Sequence, residues 1–233
     1  MKKPVCAIIG VGPGNGISFA KKFSKEGYQV ALCSRNLDFL KNTAGEIANT
    51  YPFRYDVLDV KAPNNIFSEI NEELGPVDTL IYNAGAGQFA NIDKATVETF
   101  QSAWEVNARG LFLASKAVLP DMRKSGRGNI VVIGATASLR GNIGTVPFAS
   151  AKAAQRSLAQ SLAKQLGPEN IHVSYVIVDG VIGLERTREN MPDKPDEFFM
   201  DPDEIAESVY FLTRQPRSAW TFELDLRPFV EKW

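Results

Sequence analysis

Histidine and cysteine are scarce in this sequence of 233 residues, which contains one histidine, His172, and two cysteines, Cys6 and Cys33. Two cysteines cannot build a disulfide framework, and these three side chains do not show the spacing of a metal site. His172 falls within a strand-like apolar pattern, which favours a structural role. The sequence therefore predicts no metal centre and no disulfide framework.

An excess of charge of one sign is also absent, because Lys and Arg total 26 and Asp and Glu total 27. Proteins that bind nucleic acids generally carry a basic excess, so no nucleic-acid partner is expected. No run approaches the roughly 18 apolar residues that suggest a membrane span. We therefore expect no membrane association, and a cytoplasmic location.

Short apolar runs alternate with amphipathic segments along the whole chain. Val5-Cys6-Ala7-Ile8-Ile9 is unbroken, as is typical of a parallel strand covered on both faces. Further strands are predicted at residues 29–33, 52–56, 77–82, 129–133, 171–178 and 221–226. Helices are predicted at 15–26, 37–48, 96–107, 110–122, 147–166 and 201–213, with another ending near residue 74. This alternation predicts one doubly wound α/β domain over residues 1–233, with a substrate-loop insert around 183–200.

A glycine-rich turn joins the first predicted strand to the first helix, with the sequence Gly10-Val11-Gly12-Pro13-Gly14-Asn15-Gly16. Gly10 permits a tight exit from the strand, Gly14 allows close approach of a phosphate, and Gly16 allows the helix to pack on the sheet. The free amides and the helix dipole favour a diphosphate there. The alternative interpretation is an ordinary flexible turn.

The position that selects the cofactor ribose should follow about 20 residues later, at Cys33-Ser34-Arg35-Asn36. No acid is present there to accept a hydrogen bond from a 2′-hydroxyl. Arg35 can pair with a 2′-phosphate, with Ser34 or Asn36 donating beside it. This pattern favours NADP(H) over NAD(H), although Arg35 could also be a solvated surface residue.

Asp56, followed by Val57, ends the third predicted strand. Its carboxylate could accept a hydrogen bond from the adenine amino group of a bound dinucleotide. The alternative is a turn residue at the end of a strand.

Further motifs are Asn83-Ala84-Gly85 at the fourth strand, Val106-Asn107-Ala108 in a helix, and Phe148-Ala149-Ser150-Ala151-Lys152 at the opening of another helix. Together with the Gly10, Gly14 and Gly16 spacing, they resemble the short-chain dehydrogenase/reductase family over nearly the whole chain. The resemblance implies a Rossmann-type sheet of about seven parallel strands. It also implies a homodimer or homotetramer joined through the helices near residues 108–122 and 148–166.

The chemistry of that family uses an Asn, a Ser, a Tyr and a Lys. The tyrosine hydroxyl passes a proton, and the lysine binds the nicotinamide ribose and lowers the pKa of the tyrosine. The serine polarises the substrate oxygen, and the asparagine holds a water of the proton relay. The matching positions here are Asn107, Ala135 in place of Ser, Phe148 in place of Tyr, and Lys152.

The segment after the sixth strand also departs from the family pattern. The familiar Pro-Gly reads Asp179-Gly180, and the threonine that usually contacts the nicotinamide end falls at Leu184. The candidate cofactor-binding residues are Gly10, Gly14, Asn15, Gly16, Ile17, Ser34, Arg35, Asn36, Asp56, Val57, Asn83, Ala84, Gly85, Lys152, Gly180 and Ile182.

Phe148 and Ala135 can neither donate nor accept a proton, whereas general acid catalysis contributes roughly 10²–10⁴ in rate. Thr136, Ser138 or Thr145 could supply a substitute hydroxyl, and Asp179 or Glu185 an unconventional acid. The sequence predicts an oxidoreductase with an altered proton path, acting on a small-molecule substrate of unknown identity. The alternative is a catalytically silent NADP(H)-binding sensor or scaffold.

Overall fold

A computed structural model describes residues 3–231 of the chain. The strands are β1 (Val5–Ile9), β2 (Gln29–Ser34), β3 (Thr50–Arg54), β4 (Val77–Tyr82), β5 (Gly128–Ala135), β6 (Ile171–Val178), β7 (Val181–Ile182), β8 (Phe199–Met200) and β9 (Glu223–Leu226). The α-helices are α1 (Asn15–Lys25), α2 (Leu37–Glu46), α3 (Ala62–Glu73), α4 (Val97–Trp104), α5 (Gly110–Ser125), α6 (Val146–Leu166), α7 (Glu185–Asn190) and α8 (Pro202–Thr213).

Seven parallel strands form the central sheet in the order β3-β2-β1-β4-β5-β6-β9, which confirms the predicted Rossmann-type α/β fold. The strand order reverses between β1 and β4. In open α/β sheets, ligands bind in the crevice that such a reversal leaves at the carboxyl ends of the strands. The topology therefore directs attention to the segments that follow β1 and β4.

Each face of the sheet carries its own apolar core. Every residue of β1 is buried, with Val5, Ala7 and Ile9 on one face and Cys6 and Ile8 on the other. The first face packs against α3, α5 and α6, and the second against α1, α2 and α8. Both faces are covered, which is why this strand has no polar alternation.

Two details differ from the sequence prediction. The two helices predicted at 96–107 and 110–122 form one unbroken run, because a π-helical segment, Glu105–Arg109, connects α4 to α5. The third strand is Thr50–Arg54 rather than 52–56, with Pro52 inside it. Proline is tolerated there because β3 lies at the sheet edge, where one side of the strand needs no partner.

The predicted insert around residues 183–200 is closed at its base by a two-stranded sheet. Val181 pairs with Phe199 and Ile182 with Met200, and the short helix α7 lies between these strands. Asp201 then caps α8, its side chain accepting from the Asp203 amide at 2.8 Å. Within residues 3–231, no helix combines the length and the apolar character needed to cross a membrane.

Candidate active site

The glycine turn after β1 lies directly against the end of β4. Gly10 and Gly14 have φ angles of 89° and 91°, a region that L side chains rarely adopt. A Cβ added at Gly10 would lie 2.5 Å from the backbone nitrogen of Ala84, so no side chain fits. The Asn83 side chain locks the contact by donating to the Gly10 carbonyl at 2.8 Å.

The glycine turn leads into the first amides of α1. Within residues 3–231, the backbone N–H groups of Gly14, Asn15 and Gly16 have no hydrogen-bond acceptor. The Asn15 Oδ1 atom is buried and has no partner in that part of the chain. A helix N-terminus with free amides attracts anions, so this turn keeps the arrangement expected for a diphosphate.

Leu184, which replaces the family's threonine, packs over this turn. Its Cδ2 atom lies 2.4 Å from where a Cβ of Gly14 would be, so the glycine makes room for the leucine. The segment after β7 therefore covers one side of the glycine turn with an apolar side chain.

A cavity of about 430 Å³ extends from the glycine turn along the ends of β2, β3 and β4. It brings together eight of the predicted cofactor-binding residues, namely Gly10, Ser34, Arg35, Asp56, Val57, Asn83, Ala84 and Gly85. Arg35 is exposed and forms no ion pair within residues 3–231. Tyr55, Gln88 and Ser102 also line this cavity, although no sequence motif indicated them.

Other predicted residues lie outside the lining of this cavity. The Asn36 side-chain oxygen caps α2 by accepting from the Phe39 amide at 3.1 Å, and Ile17 lies on α1. Gly180 packs tightly beside Met200 and Pro228, and Ile182 belongs to β7. Asp56 lines the cavity, but its Oδ1 already accepts from the Leu58 amide at 3.0 Å.

Lys152 and Asn107 meet beside Gly85. The Lys152 ammonium lies 3.8 Å, and the Asn107 Oδ1 atom 3.5 Å, from where a Cβ of Gly85 would be. Lys152 donates to the Ile133 carbonyl at 2.9 Å and to the Gln155 Oε1 atom at 3.0 Å. Burial strips water from this ammonium, which lowers the pKa of Lys152 to about 7.

Phe148 lies one turn before Lys152 on α6 and presents an aromatic ring where the family carries a phenol. Its ring centroid lies 5.2 Å from that of Phe89, which follows β4 and is 69% exposed. Ala135, at the end of β5, places only a methyl group in the serine position. These side chains give this part of the site apolar surfaces.

None of the substitute hydroxyls that the sequence suggested is free to act. Ser138 donates to the Ala135 carbonyl at 2.7 Å, and Thr145 donates to the Asn142 carbonyl at 3.0 Å. Thr136 donates to the Asp179 carboxylate. Each hydroxyl proton is therefore already committed to an acceptor within the chain.

The two candidate acids, Asp179 and Glu185, lie in different environments. Asp179 is buried, bonded to Thr136 and 3.4 Å from the Arg227 guanidinium. Glu185 is exposed in the first turn of α7. The arrangement favours neither residue as a replacement for the tyrosine.

Gln155 and Tyr175 are site residues that sequence reasoning missed. Gln155 is fully buried, and its Oε1 atom also lies 3.3 Å from the Tyr175 hydroxyl. Tyr175 is buried on β6 beside Gly134, where a Cβ would collide with its ring. The sequence signal that could have identified Gln155 is its spacing. A polar residue three positions after Lys152 lies on the same face of the helix.

Comparison with known proteins identifies relatives of the chain. Residues 4–194 match the family model described as short chain dehydrogenase. The chain belongs to the short-chain dehydrogenase family. It is 32% identical over 218 residues to a 3-oxoacyl-(acyl-carrier-protein) reductase of Mus musculus, covering 91% of this chain and 92% of that protein.

Solved structures of other short-chain dehydrogenases superpose on nearly the whole chain. A short-chain dehydrogenase from Rhodopseudomonas palustris is 32% identical, with a TM-score of 0.86, and covers 98% of this chain and 100% of its own. An alcohol dehydrogenase from Thermococcus sibiricus, complexed with 5-hydroxy-NADP, is 27% identical with a TM-score of 0.88, covering 99% of both chains. This short-chain dehydrogenase therefore keeps the family fold while carrying Ala135 and Phe148.

Proposed function

We propose that this short-chain dehydrogenase is an NADP(H)-dependent oxidoreductase with an altered proton-transfer site. The observation that carries the proposal is a cavity lined by Gly10, Arg35 and Gly85. Within residues 3–231, amides without an acceptor follow Gly10 at the start of α1, and the Lys152 ammonium lies beside Gly85. Among residues 3–231, Arg35 is free of any ion pair. The amides, Arg35 and Lys152 match the diphosphate, the 2′-phosphate and the nicotinamide ribose, respectively.

The residues in and beside the cavity fit such a dinucleotide. The amides of Gly14, Asn15 and Gly16 would hold the diphosphate, while Arg35 and Ser34 would hold the 2′-phosphate. The complex of the Thermococcus sibiricus alcohol dehydrogenase with 5-hydroxy-NADP supports this class of ligand. When bound, the nicotinamide exchanges a hydride with the substrate.

Ala135 and Phe148 leave the substrate side of the crevice without a proton donor. A carbonyl that accepts a hydride becomes an alkoxide, which neither side chain can stabilise or protonate. We therefore propose a substrate that carries its own acidic group, or a polarised C=C bond that water protonates. Lys152 orients the nicotinamide ribose, and the Phe148 and Phe89 rings form an apolar wall beside it.

Exchange of Arg35→Asp is expected to weaken NADPH binding about 10- to 150-fold, because a charge-assisted hydrogen bond contributes about 1.5–3 kcal/mol. Binding of NADH, which lacks the 2′-phosphate, should hardly weaken. Fluorescence titration of the pure protein with both cofactors measures the two dissociation constants. Arg217→Asp, at an exposed site between α8 and β9 and outside the lining of this cavity, is the matched control for net charge. An unchanged NADPH dissociation constant in Arg35→Asp would refute the assignment.

We also propose a homodimer or homotetramer joined through α4, α5 and α6. Phe100, Trp104 and Phe112 are 45%, 45% and 47% exposed along α4 and α5, and large apolar patches mark interaction surfaces. Phe112→Glu is expected to reduce the particle mass measured by light scattering to that of a smaller assembly. Val60→Glu, at a 55% exposed site before α3, should leave the mass unchanged. A monomeric natural protein would contradict the proposal.

A further inference from the structure

Gln155 connects three elements inside the protein. Its Nε2 group donates to the backbone carbonyl of Asn107 at 2.9 Å, within the π-helical segment between α4 and α5. Its Oε1 atom accepts from the Lys152 ammonium at 3.0 Å, and the Tyr175 hydroxyl donates to it at 3.3 Å. All four residues are at most 5% exposed. One buried carboxamide therefore bridges α6, the π-helical segment and β6.

The orientation of the Gln155 amide is fixed by its partners. Turning the amide over would set its NH₂ group against the ammonium and its oxygen against a carbonyl, which removes both hydrogen bonds. A buried amide that lost these partners would leave several polar groups unsatisfied, which destabilises the folded protein. The bridge therefore has one stable arrangement.

This arrangement determines where the Lys152 ammonium points. An ammonium has three N–H groups, and Ile133 and Gln155 accept from two of them. The third is left for the side of Gly85, where the crevice opens. Phe148, one turn earlier on the same helix face, has no hydroxyl to help hold the ammonium in place.

We propose that Gln155 is a positioning residue that holds the Lys152 ammonium toward the crevice and anchors it to the Asn107 backbone. The statement that this ammonium binds a nicotinamide ribose rests on the proposed function. The positioning itself is a property of the protein without cofactor.

The electrostatics agree with this role. The titratable side chain packed against Lys152 from β6 is Tyr175, whose pKa burial raises to about 12, so it stays neutral near pH 7. Asn107, from the π-helical segment, and the Ile133 carbonyl, from β5, carry no charge. In residues 3–231 no Asp or Glu forms an ion pair with Lys152. Within the described residues 3–231, the Gln155 oxygen and the Ile133 carbonyl are thus the two acceptors bonded to this ammonium.

The test measures the Lys152 titration directly, by NMR of the ¹³C-labelled lysine side chains, with the Lys152 resonance assigned by its loss in Lys152→Met. In the natural protein the midpoint is expected near pH 7. Gln155→Leu removes an acceptor, so the midpoint should fall. Gln155→Glu places a carboxylate beside the ammonium, so the midpoint should rise by about 1–3 pH units. Ser115→Ala, at another buried polar site on α5, is the control.

If the Lys152 midpoint is the same in the natural protein, Gln155→Leu and Gln155→Glu, the inference is overturned and Gln155 is a packing residue. If one variant fails to fold, the other still decides the direction of the change.

NADPH titrations over the same pH range examine the proposed function separately. The 2′-phosphate titrates equally in every sample, so only differences between variants report on Lys152. Absence of NADPH binding by the natural protein would refute the proposed function while leaving the NMR result intact.

Discussion

A variant that combines Phe148→Tyr and Ala135→Ser is expected to reduce simple ketones and aldehydes with NADPH about 10²–10⁴ times faster than the natural sequence. Tyr at position 148 would place a hydroxyl one turn before Lys152, whose ammonium is already oriented by Ile133 and Gln155. General acid catalysis contributes about 10²–10⁴ in rate, and one oxyanion donor about 10²–10³. Groups that act together are not additive, so we expect less than the product of the two factors.

The measurement is the NADPH-dependent turnover of a carbonyl panel by the natural protein, both single variants and the double variant. Phe148→Leu is the matched control, because it alters the same side chain but adds no hydroxyl. An iminium acceptor is included because hydride addition to it yields a neutral amine and needs no proton donor. Turnover of the iminium alone by the natural protein would locate the defect in proton donation. A double variant that binds NADPH but reduces no carbonyl would contradict the prediction.

Exchange of Gly10→Ala is expected to destabilise the protein by about 3 kcal/mol and to abolish NADPH binding. The added Cβ would lie 2.5 Å from the Ala84 nitrogen and 2.6 Å from its Cα, both backbone atoms that cannot turn aside. The φ angle of 89° adds strain for any residue with a side chain. Overpacking and such strain each cost about 1–3 kcal/mol. Because the Asn83 side chain is bonded to Gly10, relaxation would deform both ends of the crevice.

For a domain of this size, a loss of about 3 kcal/mol corresponds to a fall in Tm of roughly 6–12 °C. Gly12→Ala is the matched control in the same turn, because no atom lies within 4 Å of its added Cβ. Thermal unfolding and NADPH titration of both variants provide the comparison. Equal Tm values for Gly10→Ala and Gly12→Ala would show that the contact with Ala84 is not tight in solution.

The local sequence pattern predicted most of the architecture. The unbroken apolar run of β1 and the Asp201 cap of α8 are encoded by neighbouring residues, and both lie where the pattern indicated. The join between α4 and α5 was missed because a π-helical segment has no distinctive composition. Pro52 shifted the predicted third strand, because its tolerance depends on β3 being an edge strand.

The amino-acid sequence by itself determined the chemical inventory of the site: a glycine turn, Arg35 after β2, and a phenylalanine one helical turn before Lys152. These are features of composition and spacing, which the linear chain fixes. Only the tertiary structure decided that Gln155 bridges Asn107, Lys152 and Tyr175, and that Thr136 is committed to Asp179. Apart from the Lys152–Gln155 contact, which lies within α6, these hydrogen bonds join residues 20 to 48 positions apart. They therefore depend on how helices and strands pack and not on a local pattern.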